Sequence, residues 1–152
     1  NFIASGTVTC LEFYHQAYLF SGSDDGTVCV WNTRTWKCEK TLKAHSGGVT
    51  ALSVHPSGKL ALTVGKDKSL KTWNLIKGRT AYVTNIKAVA DKVKWTPEGT
   101  FYAVVIKNFV NIYEVKSAGI AYTADFKQGV NTICFIKSSY SFSINHHWLW
   151  MR

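Results

Sequence analysis

The feature that most constrains this chain is an internal repeat with a period near forty residues. The run Val8-Thr9-Cys10-Leu11-Glu12-Phe13 aligns with Val49-Thr50-Ala51-Leu52-Ser53-Val54, then Ala90-Asp91-Lys92-Val93-Lys94-Trp95, then Val130-Asn131-Thr132-Ile133-Cys134-Phe135; successive starts lie 41, 41 and 40 residues apart. A second landmark keeps the same step, since Trp31-Asn32, Trp73-Asn74 and Tyr113-Glu114 are separated by 42 and 40. A period of this length marks a repeat architecture in which each unit is one small motif that cannot bury its apolar side without the next.

Within each unit the runs are short, rich in Val, Leu, Thr and aromatics, and broken by Gly, Asp, Asn or Pro, which is the pattern of strands and turns rather than of helices. Four strands fit per unit. In the second unit they fall at 49–54, 60–64, 70–74 and 79–84, with His55-Pro56-Ser57-Gly58 as one turn and Gly65-Lys66-Asp67-Lys68 as another. The matching turns elsewhere are Thr96-Pro97-Glu98-Gly99 and Gly22-Ser23-Asp24-Asp25-Gly26. A hydrophobic content of 46% across 152 residues is enough for a packed core.

These residues resemble the WD-repeat family, whose units close the third strand with a Trp-Asp or similar dipeptide, here Trp-Asn twice. The resemblance implies an all-β chain, a fragment of a β-propeller with about three four-stranded antiparallel blades at 8–43, 49–84 and 89–125 and the first strand of another at 130–136. It also implies a buried polar network in each blade: His45, Thr63, Asp67 and Trp73 in the second, Ser21, Asp25 and Trp31 in the first. The third unit departs from it, with Ala103, Lys107 and Tyr113 at those positions, so that blade is expected to rest on apolar packing alone. Past Lys137 the repeat stops; residues 138–152 are expected to be a non-repeat tail of a truncated or alternatively terminated product. A second possibility is that they form an improvised strand in which Phe142, Ile144, Trp148 and Trp150 cover an open edge. Such a chain would expose apolar surface and need a partner.

Sequence signals for chemistry are missing: no G-x-S-x-G, no phosphate-binding glycine loop and no H-E-x-x-H, so no enzyme, no catalytic residue, no cofactor and no metal is expected. Asp24-Asp25-Gly26 lacks the further oxygen ligands of a calcium loop, and His146-His147 would point to opposite faces of a strand. The 4 cysteines form no CxxC pair and read as reduced core thiols of an intracellular protein, and no apolar run is long enough to span a membrane.

Net charge is +9, and half of the 18 Lys and Arg lie between Lys59 and Arg79 or at Lys87, Lys92 and Lys94, against only Asp67 and Asp91. That stretch reads as a basic face, either solvating a strand edge or meeting RNA or an acidic protein. Candidate contact residues are Lys66, Lys68, Lys71, Lys77, Arg79 and Trp36, on the expectation that they sit on loops and rims. At finer grain, residues 7–136 resemble the branch of the family that binds PAK-family kinases. That likeness implies contact with the kinase regulatory region and restraint of its activation, assembly of the large ribosomal subunit with pre-ribosomal factors, and a nuclear and nucleolar location. Contact with RNA would be weak or indirect, and a generic adaptor of another complex is the alternative.

Overall fold

A computed structural model describes residues 6–135, 141–144 and 147–150, all in strands and connecting turns. The repeat appears directly as sheets. Blade 1 is β1 (Val8–Tyr14), β2 (Tyr18–Ser23), β3 (Thr27–Asn32) and β4 (Lys37–Lys43). Blade 2 is β5 (Val49–Val54), β6 (Leu60–Gly65), β7 (Ser69–Asn74) and β8 (Arg79–Asn85), and blade 3 is β9 (Lys92–Trp95), β10 (Phe101–Ile106), β11 (Phe109–Glu114) and β12 (Ile120–Asp125). Each is an antiparallel meander in chain order. The inner strands β1, β5 and β9 lie side by side along a common axis, and β4, β8 and β12 form the exposed rim.

A fourth sheet starts with β13 (Ile133–Phe135), inside the expected 130–136. It goes further than the single strand read from the sequence, because β14 (Ser141–Ile144) and β15 (His147–Trp150) pair antiparallel beyond it. Phe142 and Ile144 lie on β14, and Trp148 and Trp150 on β15. His146 lies outside the described residues.

Packing explains why the central strands read as nearly continuous apolar runs. Blade 2 is covered on both faces, so alternate residues of one strand serve different cores. Ala61 on β6 joins Phe20, Val28, Val30, Leu52, Val54 and Trp73 between blades 1 and 2. Its neighbours Leu62 and Val64 join Ala51, Leu70, Val93 and Val104 between blades 2 and 3. A third cluster, including Ala103, Val105, Val110, Ile112 and Val130, lies on the far side of blade 3. A fully buried Leu or Val contributes about 1.5–3 kcal/mol, so blade 2 draws on both neighbours. Blade 1 shows the contrast: Val8, Leu11 and Phe13 are 50%, 60% and 64% exposed, whereas their counterparts Val49, Leu52 and Val54 are 0%, 5% and 6%. Among the described residues, nothing covers that face of blade 1.

The turns follow their residues. Gly58 and Gly99 take φ of 67° and 73°, and a Cβ at either would collide with the Tyr14 ring or the His55 imidazole. A register shift falls next to the closing dipeptide of every blade, at Val30/Trp31, Thr72/Trp73 and Ile112/Tyr113, so the extra residue on the rim strand is part of the repeat.

Candidate functional site

Blade 2 assembles the polar network in full. The Trp73 indole N–H donates to Thr63 Oγ1 at 2.9 Å, and the Thr63 hydroxyl meets His45 Nε2 at 2.8 Å. On the other side of the ring, His45 Nδ1 lies 2.9 Å from Asp67 Oδ1. With Thr63 accepting from Trp73 and donating to Nε2, the imidazole is neutral with its proton on Nδ1, aimed at the carboxylate. Burial pushes the His45 pKa below its ordinary value, which favours that neutral form. Burial also acts to raise the Asp67 carboxyl, but hydrogen bonds from Ser69 (Oγ 2.7 Å, N 3.2 Å), His45 and the Ser46 amide (3.2 Å) prevail and hold it at about 2.

Blade 1 carries a shorter version. Trp31 donates to Ser21 Oγ at 2.8 Å, while Asp25 turns to its own hairpin and accepts from the Thr27 amide and hydroxyl at 2.9 and 2.6 Å. Blade 3 does not depend on apolar packing alone, as the sequence had suggested. Asp91 supplies a carboxylate from the inner strand side and accepts the Lys107 amide at 2.8 Å. Aromatic rings run through the place of the missing network: His55 against Trp95, Trp95 against Tyr102, and Tyr102 stacked on Tyr113 at 5.1 Å and 7°.

Two sets of contacts between blades were not read from the sequence. Thr9 Oγ1 reaches the Val49 carbonyl at 2.5 Å, and Thr50 Oγ1 reaches the Ala90 carbonyl at 2.6 Å, the same stitch one repeat apart. Recurrence of Thr at that step was the available signal. Glu12 ties three blades together: its carboxylate accepts from Ser53 Oγ and Val54 N, both at 3.2 Å, and from Lys94 Nζ at 3.0 Å, while Ser53 Oγ accepts the Trp95 amide at 3.2 Å.

The basic stretch does not form one face. Lys66 and Lys68 sit on the β6–β7 hairpin, whereas Lys77 and Arg79 sit at the opposite end of β7, which at about 3.3 Å per residue is roughly 20 Å away. Lys71 is half-buried in the middle of β7 rather than on a loop, and Lys94 is engaged by Glu12. Trp36, 63% exposed, is on the β3–β4 hairpin at the same end as Lys77 and Arg79. The cysteines differ from expectation too: all four are free thiols, but only Cys29 is buried, Cys10 and Cys38 are half-buried, and Cys134 is exposed.

Four-stranded blades fanned about an axis, with a Trp–Thr–His–Asp network inside blade 2, define a WD-repeat β-propeller chain, and residues 2–32 and 36–74 match the family described as WD domain, G-beta repeat. Over 89% of its length the chain is 52% identical to "p21-activated protein kinase-interacting protein 1-like" of Gallus gallus, covering 37% of that protein. It is 28% identical over 82% of its length to "Shk1 kinase-binding protein 15" of Schizosaccharomyces pombe, covering 36% of it. The chain thus spans about a third of the length of these curated relatives. Among solved structures, the β-propeller domain of Cps50 (Swd1) from Myceliophteria thermophila superposes with a TM-score of 0.70 at 20% identity, covering 95% of this chain and 63% of that one, which shows the shared fold.

Proposed function

We propose that this chain is a non-enzymatic scaffold that engages the regulatory region of p21-activated (PAK-family) kinases and restrains their activation. One observation carries the reading: two relatives from a bird and a fission yeast, each matching more than four-fifths of this chain (89% and 82%), both have kinase binding in their names. Stacked blades that hold exposed hairpins are the physical form of such a platform. Trp36, Lys77 and Arg79 stand at the same end of the blades, and Trp and Arg are residue types that dominate contact energy. In a purified mixture, the chain is expected to bind the kinase regulatory region and lower autophosphorylation, with W36A/R79A weakening both and K66E/K68E weakening any acidic contact at the other end. Full binding by all these variants would remove those residues from the interface, and unchanged autophosphorylation with the parent chain would refute the inhibitory role.

A second reading is supported by the charge of +9 and by exposed lysines at both ends. It places the protein in the nucleus and nucleolus, assisting large ribosomal subunit assembly and pre-rRNA maturation through assembly factors, with at most weak contact to RNA. Nucleolar fluorescence and co-sedimentation with pre-large-subunit particles, lost on raising salt, would support it. Silence in both assays would favour a generic WD adaptor.

A further inference from the structure

We propose that Cys29 and Cys38 form a dithiol oxidation site, closed into a disulfide within blade 1 by a low-molecular-weight disulfide and reopened by a small thiol. The inference does not depend on the kinase reading, because it concerns the chemistry inside one hairpin. Cys29 lies on β3 opposite Thr41 of β4, and Trp31 lies opposite Cys38. Residues two apart on a strand share a face, so Cys29, Trp31, Thr41 and Cys38 belong to one face of the blade. In a regular strand Cys38 and Thr41, three residues apart, would point to opposite faces. The register shift at Val30/Trp31 turns Cys38 onto the side where Cys29 stands.

The side chains meet there. Cys29 Sγ lies 3.7 Å, and Cys38 Sγ 3.6 Å, from the same Thr41 hydroxyl. Burial pushes the Cys29 thiol up, a hydrogen bond with Thr41 acts the other way, and Cys38 adds to the rise both by charge and as a hydrogen-bond partner. The two sulfurs are therefore immediate neighbours. The same two places hold Lys71 and Thr80 in blade 2, and Asn111 and Ile120 in blade 3. The repeat supplies the geometry, and of these three blades it is blade 1 that fills both places with sulfur. Cys10 and Cys134 stand apart, on β1 and β13.

Burial sets the order of events. Cys38 is half-buried, whereas Cys29 is 6% exposed and closed to reagents in solution. The Cys38 thiolate attacks one sulfur of the small disulfide, forming a mixed disulfide and expelling one small thiolate. Cys29 gives up its proton to that thiolate, attacks Cys38 Sγ and expels the second small thiolate, which takes a proton from water. Two protein thiols and one small disulfide become one protein disulfide and two small thiols. Proximity compensates for the raised Cys29 thiol, since its target is held beside it. The new bond ties β3 to β4 across the register shift, at the base of the hairpin that carries Trp36.

The test is incubation of the folded full chain with glutathione disulfide, an acid quench and mass-spectrometric mapping of unreduced peptides. We expect peptides joined through Cys29 and Cys38, released by dithiothreitol. Without the resolving thiol, C29S should retain at least about ten-fold more glutathione on Cys38 than the parent does. C29A, which keeps that buried position apolar, should behave in the same way. C38S should leave Cys29 unmodified while folded, and C10S/C134S should bridge like the parent. Amide exchange across residues 33–37 should slow by about three-fold or more on oxidation. Glutathione held on Cys38 of the parent at the level of C29S and C29A, or Cys38 joined to Cys10 or Cys134 in place of Cys29, would overturn the proposal.

Discussion

Replacing Thr63 with valine keeps the volume of a side chain that is 2% exposed and removes a single hydroxyl, yet that hydroxyl serves two partners. It accepts the Trp73 indole N–H at 2.9 Å and meets His45 Nε2 at 2.8 Å, and both partners belong to residues that are themselves buried. A buried polar group left without a partner costs about 1–3 kcal/mol, so T63V should lose roughly 2–5 kcal/mol. For a chain of this size about 2–4 °C accompanies each kcal/mol, which gives a fall in Tm of roughly 4–20 °C. The companion substitution Ser21→Ala takes one bond from Trp31, which is half-buried and within reach of water, and should cost only about 0.5–1.5 kcal/mol. Urea titrations read by tryptophan fluorescence and far-UV circular dichroism give both numbers. T63S should recover most of the loss. A T63V chain no less stable than S21A would refute the claim that one hydroxyl satisfies both Trp73 and His45.

Glu12→Ala should cost about 1–3 kcal/mol, because Ser53 Oγ and Val54 N lose their acceptor. Glu12→Gln should cost less than about 1 kcal/mol, since the Lys94 ammonium it loses is 41% exposed and screened; the reverse order in urea midpoints would mean that charge, not the shared acceptor, ties the blades. Acid should weaken the fold in two stages. The His45 pKa is lowered in the folded state from an ordinary 6.5, so the unfolded chain takes up a proton first and stability falls as pH drops through about 6.5. Asp67 is held at about 2 against an ordinary 3.8, so its contribution is intact above pH about 4 and lost towards 2; urea midpoints measured against pH should keep the upper limb and lose the lower one in Asp67→Asn. Alkylation by a maleimide should find Cys134 fast, Cys10 and Cys38 slower, and Cys29 reactive only on unfolding, its thiol pushed up by burial; four equally fast thiols would contradict that order.

The blades were legible because period, strand alternation and turn chemistry all repeat together. The strands read at 49–54, 60–64, 70–74 and 79–84 are β5 to β8 to within one residue at each end. The Trp73–Thr63–His45–Asp67 chain was legible because a buried indole and a buried carboxylate both demand partners, and the repeat says where those partners stand. The basic face was not, since adjacent positions in sequence become opposite ends of a molecule once a strand runs between them: Lys68 and Lys77 are separated by the whole of β7. The open face of blade 1 was also hidden, because Leu11 and Leu52 are the same letter and only the neighbour distinguishes them. Asp91 escaped notice in blade 3 because its carboxylate comes from the inner strand side rather than from the hairpin, where the pattern had placed it.

The stitches made by Thr9 and Thr50 end on main-chain carbonyls, of Val49 and Ala90, and so ask nothing of the side chains they reach. A joint of that kind is indifferent to mutation in the repeat it receives. Blade 3, with Ala103, Lys107 and Tyr113 at its network positions, is held to blade 2 by the same backbone joint that holds blade 2 to blade 1.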